Sequence, residues 1–172
     1  AEIFGIKPII VINKIDLLNE DEVIELKFKM KLYSDLGYPV IFSTVKQDTG
    51  ISQITYILNQ KTSILVGQSG VGKSSLVKKL LPEKEITIGK IGDTDMGKHT
   101  TTTAVLYHLP RGGNLIDSPG VRDFGAWHID KDKITRGFVE LKDYQGKCKF
   151  RNCSHTIEPE CAFKAGVEAG KI

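Results

Sequence analysis

The sequence predicts an α/β fold with a parallel-rich sheet, followed by a small helical, metal-binding segment at the C-terminal end. Three observations predict it. Short apolar runs at residues 8–12 (PIIVI), 38–42 (YPVIF) and 62–66 (TSILV) alternate with stretches of helical composition, the pattern that builds parallel sheets. A glycine-rich string, GQSGVGKS at 67–74, follows the third run directly. Three cysteines fall between Cys148 and Cys161, with His155 among them.

The run 8–12 is apolar throughout, as suits a strand buried on both faces of a sheet. It ends in Asn13-Lys14-Ile15-Asp16, an N-K-x-D string. A carboxylate such as Asp16 accepts hydrogen bonds from the N1–H and 2-amino group of guanine together, a donor pair that adenine lacks. Asn13 is expected to tie this turn to the glycine-rich loop, with the Lys14 stem covering the base and Ile15 within the same turn. The plainer reading is a turn in which Asp16 or Asn19 only caps the next helix.

Residues 20–36 carry two signals. Ile24, Leu26, Phe28, Met30 and Leu32 alternate with charged residues as in a strand, while the Glu, Lys, Leu and Met content favours a helix. Two parallel strands need a crossover, so a helix is predicted, capped by Asn19 or Asp21 and ended by Gly37. A strand follows at 38–42, then Ser43-Thr44-Val45-Lys46, placed where a small-residue loop would touch the guanine oxygen. Residues 50–59 have helical spacing at Ile51, Ile54, Ile57 and Leu58.

The run 62–66 reads as a buried strand, and 76–81 as a helix starting near Lys73. Between them Gly67, Gln68, Ser69, Gly70, Val71, Gly72, Lys73, Ser74 and Ser75 fit a phosphate-binding loop. Its glycines let backbone N–H groups point at phosphate oxygens, and the helix dipole adds positive potential. Lys73 is expected on the β- and γ-phosphates, and Ser74 on Mg²⁺.

Residues 82–103 are expected to form a long loop ending in GKHTTTT. Such loops are usually functional, and Thr101 or Thr102 is expected to ligate Mg²⁺ and sense the γ-phosphate. A hairpin is predicted over 103–109 and 114–116. It closes on D-S-P-G, in which Asp117 would bind Mg²⁺ through water and the Gly120 N–H would sense the γ-phosphate. Val121 follows, and it cannot orient a water molecule. His99 is the candidate catalytic group beside Lys73; the competing reading makes it a solvated loop residue.

Cys148, Cys153, His155 and Cys161 form C-x4-C-x-H-x5-C, the ligand set of one closed, structural zinc ion. Lys142, Lys147, Lys149 and Arg151 surround it, as an RNA contact or as a solvated basic rim.

At 172 residues the chain suits one main domain with an appendage; the division expected is 1–128 and 129–172. Lys plus Arg number 24 against 21 Asp plus Glu, so a net charge of +3 permits RNA without arguing for it. No apolar run approaches the ~20 residues of a membrane span and no signal-peptide pattern opens the chain, so a cytoplasmic location is expected. The first residue is Ala1 and the last lies in a helical pattern, from which a fragment of a longer protein is expected.

Ordinary small GTPases run phosphate loop, switch threonine, D-x-x-G, N-K-x-D. Here N-K-I-D precedes the phosphate loop, which reads as a circularly permuted order of a P-loop GTPase domain. With GQSGVGKSS, GKHTTT, DSPGVRDFG and the cysteine–histidine cluster, essentially the whole chain resembles the circularly permuted, ribosome small-subunit-dependent GTPases (RsgA, also called YjeQ). The resemblance implies GTP hydrolysis in late maturation of the small ribosomal subunit, slow alone and stimulated by the subunit. It also implies zinc at the four cluster residues, Mg²⁺ with the nucleotide, contact with rRNA and a catalytic role for His99. GTP, GDP and the small subunit are the partners expected of a monomer without membrane attachment. The resemblance also implies an N-terminal OB-fold, which no stretch of these 172 residues is expected to form.

Overall fold

A computed structural model of the chain describes residues 1–81, 88–90, 105–117 and 130–172. Strand β1 (Ile10–Ile12) pairs in parallel with β2 (Val40–Phe42), Ile10 opposite Val40 and Ile12 opposite Phe42. Helix α1 (Glu20–Asp35) makes the crossover that a parallel pair requires. Its misleading alternation has a simple origin. Val23, Leu26 and Met30 are half-buried along one face, while Ile24, Phe28 and Leu32 are exposed along another. Apolar residues on two faces of a helix mimic a period of two.

Local chemistry sets both ends of α1. Asn19 Oδ1 accepts from the Glu22 N–H at 2.9 Å, and the Glu22 carboxylate accepts from the Asn19 N–H at 2.8 Å. This reciprocal cap satisfies two N-terminal donors. Gly37, at φ 89°, donates to Ser34 O while the Tyr38 N–H donates to Tyr33 O. That is a Schellman ending, which needs a left-handed residue.

The second sheet has the order β3-β6-β5-β4, from β3 (Thr62–Leu65), β4 (Ile88–Lys90), β5 (Val105–His108) and β6 (Asn114–Asp117). Strands β3 and β6 are parallel, whereas β5 is antiparallel to both β4 and β6; β4 lies within 82–103, where a loop was expected, because pairing with β5 orders three residues that have no strand pattern of their own. The predicted hairpin is present, turned by the Gly112 N–H bonded to Leu109 O and the Leu109 N–H bonded to Gly113 O. Helix α2 (Ile51–Leu58) and helix α3 (Lys73–Leu80) pack on one another, and α3 packs on β6. Ile54, Leu58, Leu76, Val77, Leu80 and the fully enclosed Leu115 make the core.

The expectation of strands buried on both faces is corrected. Ile64 and Val66 are 46% and 48% exposed while Ser63 and Leu65 are half-buried, so β3 is covered on one face among the described residues. Strand β1 is half-buried along its length.

The described residues divide into two compact units. One gathers 10–31, 40–81, 88–90 and 105–117, with both sheets. The other gathers 1–9, 32–39 and 130–172. It contains a 3-10 turn (Glu2–Phe4) packed on α4 (Lys131–Arg136), then a 3-10 helix (Val139–Tyr144) and α5 (Ala162–Glu168). Phe163 anchors α5, with the Tyr144 ring edge-on at 6.4 Å between centroids. No helix among the described residues is long and apolar enough to cross a membrane.

Candidate functional site

The ends of β1, β2 and β3 deliver three turns to one place. Asn13 joins them. Its Nδ2 donates to Val71 O at 2.9 Å, and its Oδ1 accepts from Ser43 Oγ at 3.3 Å. Lys14, left-handed at φ 64°, sends its ammonium to Gly70 O. The 13–16 turn and the 67–74 loop, about fifty residues apart in sequence, are therefore hydrogen-bonded neighbours.

Gly72 is what permits the approach. It sits at φ 96°, and a Cβ on it would lie 2.4 Å from Asn13 Nδ2. Lys73 opens α3, and its Nζ donates to Gly67 O and, at 3.0 Å, to Gln68 O, folding the ammonium over its own loop. Ser69, Ser74 and Ser75 are exposed on the same loop. Asp117 ends β6 in register with Leu65, two residues before Gly67, so it stands at the same sheet edge.

Asp16 does not cap α1; Asn19 does. The Asp16 side chain is 8% exposed, with Oδ2 on Lys46 Nζ at 2.8 Å and Oδ1 accepting from Thr44 Oγ1 at 2.6 Å. The Lys46 bond first, and the Thr44 bond next, hold its carboxyl below the usual carboxylate range despite its burial. The group is thus an oriented anion at neutral pH, with lone pairs left for further donors. Ser43 and Thr44 are 0% and 1% exposed, because Thr44 N–H bonds Thr49 O and Ser43 N–H bonds Ile12 O. Lys46 was assigned no role from the sequence; its signal was a basic residue four positions after the end of β2, the strand that neighbours the N-K-I-D strand.

His99, Thr101, Thr102, Gly120 and Val121 lie outside the described residues.

In the other unit, the ligand atoms of Cys148, Cys153, His155 and Cys161 all lie within 4.8 Å of one another. His155 Nδ1 is 3.5 Å from Sγ of both Cys148 and Cys161, and those two sulfurs are 4.0 Å apart. Tetrahedral zinc with Zn–S near ~2.3 Å requires sulfurs roughly 3.8 Å apart, so this donor set fits a metal ion. Burial pushes the Cys161 thiol up, but the N–H groups of Lys164 and Phe163 and the His155 ring outweigh it and bring it down to about 7. His155 stacks on Phe163 at 4.0 Å, an orienting contact the spacing of ligands did not reveal.

Glu158 braces the ligand loop, accepting from Ser154 Oγ at 2.7 Å, Ser154 N–H at 2.9 Å and Thr156 N–H at 3.2 Å. These bonds, the Ser154 hydroxyl first, draw its carboxyl down to about 2. A carboxyl lowered on folding stabilises above its unfolded value and loses that contribution as pH falls through its folded value. A carbon-detected NMR titration should therefore place the Glu158 midpoint near 2, and a midpoint at 4.5 would mean the brace is not formed.

Lys142, Lys147, Lys149 and Arg151 are exposed, and Lys149 is bonded to the Glu160 carboxylate. Arg136 and Gln145, not singled out by the sequence, line with Arg151 a cavity of about 290 Å³ beside the cluster.

A strand–glycine loop–helix tied to an N-K-x-D turn that precedes it in sequence defines a phosphate-loop α/β protein of permuted order. A family model described as RsgA GTPase matches residues 1–127, and the chain belongs to that family. It is 48% identical over 173 aligned residues to the small ribosomal subunit biogenesis GTPase RsgA of Haemophilus influenzae, covering 100% of this chain and 50% of that protein. Identity to the Shewanella oneidensis protein of the same name is 51%, covering 49% of it. The fold is similar to YjeQ from Thermotoga maritima, with TM-score 0.75 and 35% identity over 95% of this chain and 54% of that one. It is also similar to YloQ, described as a circularly permuted GTPase, with TM-score 0.72 and 30% identity over 96% of this chain and 51% of that one. The chain spans about half the length of the curated relatives it matches.

Proposed function

We propose that the chain is the nucleotide-handling part of a GTPase that hydrolyses GTP to GDP and phosphate during late maturation of the small ribosomal subunit, and that the subunit stimulates it. The observation that carries this reading is the Asn13–Val71 hydrogen bond, which brings a base-reading turn and a phosphate loop to one ligand's length of each other. In this reading the 67–75 backbone cradles the phosphates, with Lys73 on the β- and γ-phosphates. Asp16 accepts from the guanine edge, flanked by Lys14 and Ile15 and by the Ser43-Thr44 backbone. Ser74, Asp117 and Thr101 or Thr102 would hold Mg²⁺, which supplies charge neutralisation between the β- and γ-phosphates. The Gly120 N–H senses the γ-phosphate and His99 orients the attacking water.

The division of labour assigns nucleotide chemistry to 1–128 and rRNA contact to 129–172, where Cys148, Cys153, His155 and Cys161 hold one structural zinc ion. The names of the relatives refer to small-subunit biogenesis, and by that analogy we place this chain in the cytoplasm; that it acts as a monomer is part of the same proposal.

Val121, standing where a water-orienting side chain would follow D-x-x-G, favours a second reading. In it GTP switches an RNA-binding module and hydrolysis is incidental. Steady-state GTP turnover of the full-length protein with and without purified small subunits decides between them. Stimulation supports the first reading; equal rates leave only the second.

Asp16→Asn tests the base assignment. The amide donates where the carboxylate only accepts, so GTP affinity should fall by about 100-fold while xanthosine triphosphate gains. Unchanged GTP preference in a competition titration would refute the role of Asp16.

A further inference from the structure

At the end of the sheet remote from the 67–74 loop, a cavity of about 260 Å³ opens between α2, the last turn of α3 and the β5–β6 turn. Leu80 on its wall ends the helix that Lys73 begins, so about 12 Å of helix separates the cavity from the phosphate loop. The turn it touches precedes β6, whose far end is Asp117. The cavity is therefore distinct from the nucleotide site.

Its chemistry is uneven. Leu58, Leu80, Leu109 and Pro110 make an apolar wall. Within that wall, Asn59 Oδ1 is buried with no hydrogen-bond partner. An unsatisfied buried acceptor is costly and calls for an explanation. The nearby Thr55 hydroxyl does not answer it, being donated to Ile51 O at 2.9 Å. At the rim Arg111 is exposed, with no acidic partner among the described residues. The volume is below the ~300–1,000 Å³ of drug-sized sites, which matches a molecule of a single ring.

We propose that this cavity binds a small aromatic carboxylate carrying a hydroxyl or N–H donor. The ring lies against the leucines and Pro110, and the carboxylate meets the Arg111 fork, a geometry that guanidinium suits better than ammonium. The donor pairs with Asn59 Oδ1 after a rotation about χ2, a soft torsion for asparagine.

The test is a two-dimensional amide NMR titration of the full chain, in the presence of GDP, with para-hydroxyphenylacetate and with phenylacetate, which lacks the donor. Saturable shifts at Leu58, Asn59, Leu80 and Gly112 are expected, with a dissociation constant on the order of a few millimolar. Phenylacetate should bind about fivefold more weakly, and Asn59→Leu should erase that difference. Arg111→Gln should weaken both probes about fivefold and, being at an exposed turn, tests the site even if the Asn59 variant fails to fold. No shifts up to about 20 mM, shifts confined to 67–74, equal binding of the two probes, or Arg111→Gln leaving both affinities unchanged would each overturn the proposal.

Discussion

Gly72→Ala should lower guanine-nucleotide affinity by about 100-fold, or about 2.7 kcal/mol, while the thermal transition of the chain shifts only modestly. Two effects add. The new Cβ would fall 2.4 Å from Asn13 Nδ2, so the Asn13 side chain must withdraw and release Val71 O. That bond is worth about 1 kcal/mol. The residue also stands at φ 96°, which costs a non-glycine residue roughly 1–3 kcal/mol. The loop escapes that cost by leaving the conformation that aims its N–H groups, and binding must restore it. The fold survives because the atom struck is the end of a movable side chain, not backbone. Asn13→Ala isolates the first effect and should lose only about 5- to 10-fold. Fluorescent-nucleotide titration beside a thermal melt measures both; wild-type affinity in Gly72→Ala would remove the tie from the account of binding.

Removing metal from the cysteine–histidine cluster should have the largest structural effect, unfolding the unit that contains residues 130–172 while the two sheets persist. Few side chains hold this region: among the described residues Cys161 and Phe163 are its buried ones, and Tyr144 and the His155 ring rest on Phe163. Structural zinc in small domains contributes about 10–16 kcal/mol of binding free energy that is also folding free energy, more than such a core supplies. Elemental analysis should find one zinc per chain. Chelator, or Cys161→Ser, should open 130–172 to protease while a fragment containing α2, α3 and the second sheet resists. Identical digestion patterns with and without chelator would show that the cluster is not a structural metal site. The ligands must be thiolate and neutral imidazole, so the same loss should appear as pH falls.

Motifs whose chemistry is local were readable from residue order alone. GQSGVGKS specified a strand–loop–helix, and α3 begins at Lys73 as predicted. The spacing of Cys148, Cys153, His155 and Cys161 anticipated a cluster, and the four ligand atoms do converge. The hairpin around Gly112 and Gly113 followed from turn chemistry. The tie from Asn13 to the glycine-rich loop was anticipated from the N-K-x-D string and is present, but most of what depends on a partner distant in sequence was not legible. Residues 20–36 looked alternating because α1 is apolar on two faces, and only the crossover requirement identified a helix. The apolar 62–66 run gave no sign that Ile64 and Val66 would be exposed, since coverage depends on what packs there rather than on the strand itself.

The amino-acid order by itself determined the local features on which the proposed chemistry rests: a strand–glycine loop–helix, an N-K-x-D turn and a cysteine–histidine cluster. It did so because loop conformation and ligand type depend on a few adjacent residues. Only the tertiary structure decided that the expected Asn13 tie runs to Val71 O and Ser43 Oγ, that Lys46 and Thr44 orient Asp16, and that Asn59 is left unpaired beside a cavity. Those are contacts between segments tens of residues apart, and no local propensity encodes the register in which distant backbone and side-chain groups meet.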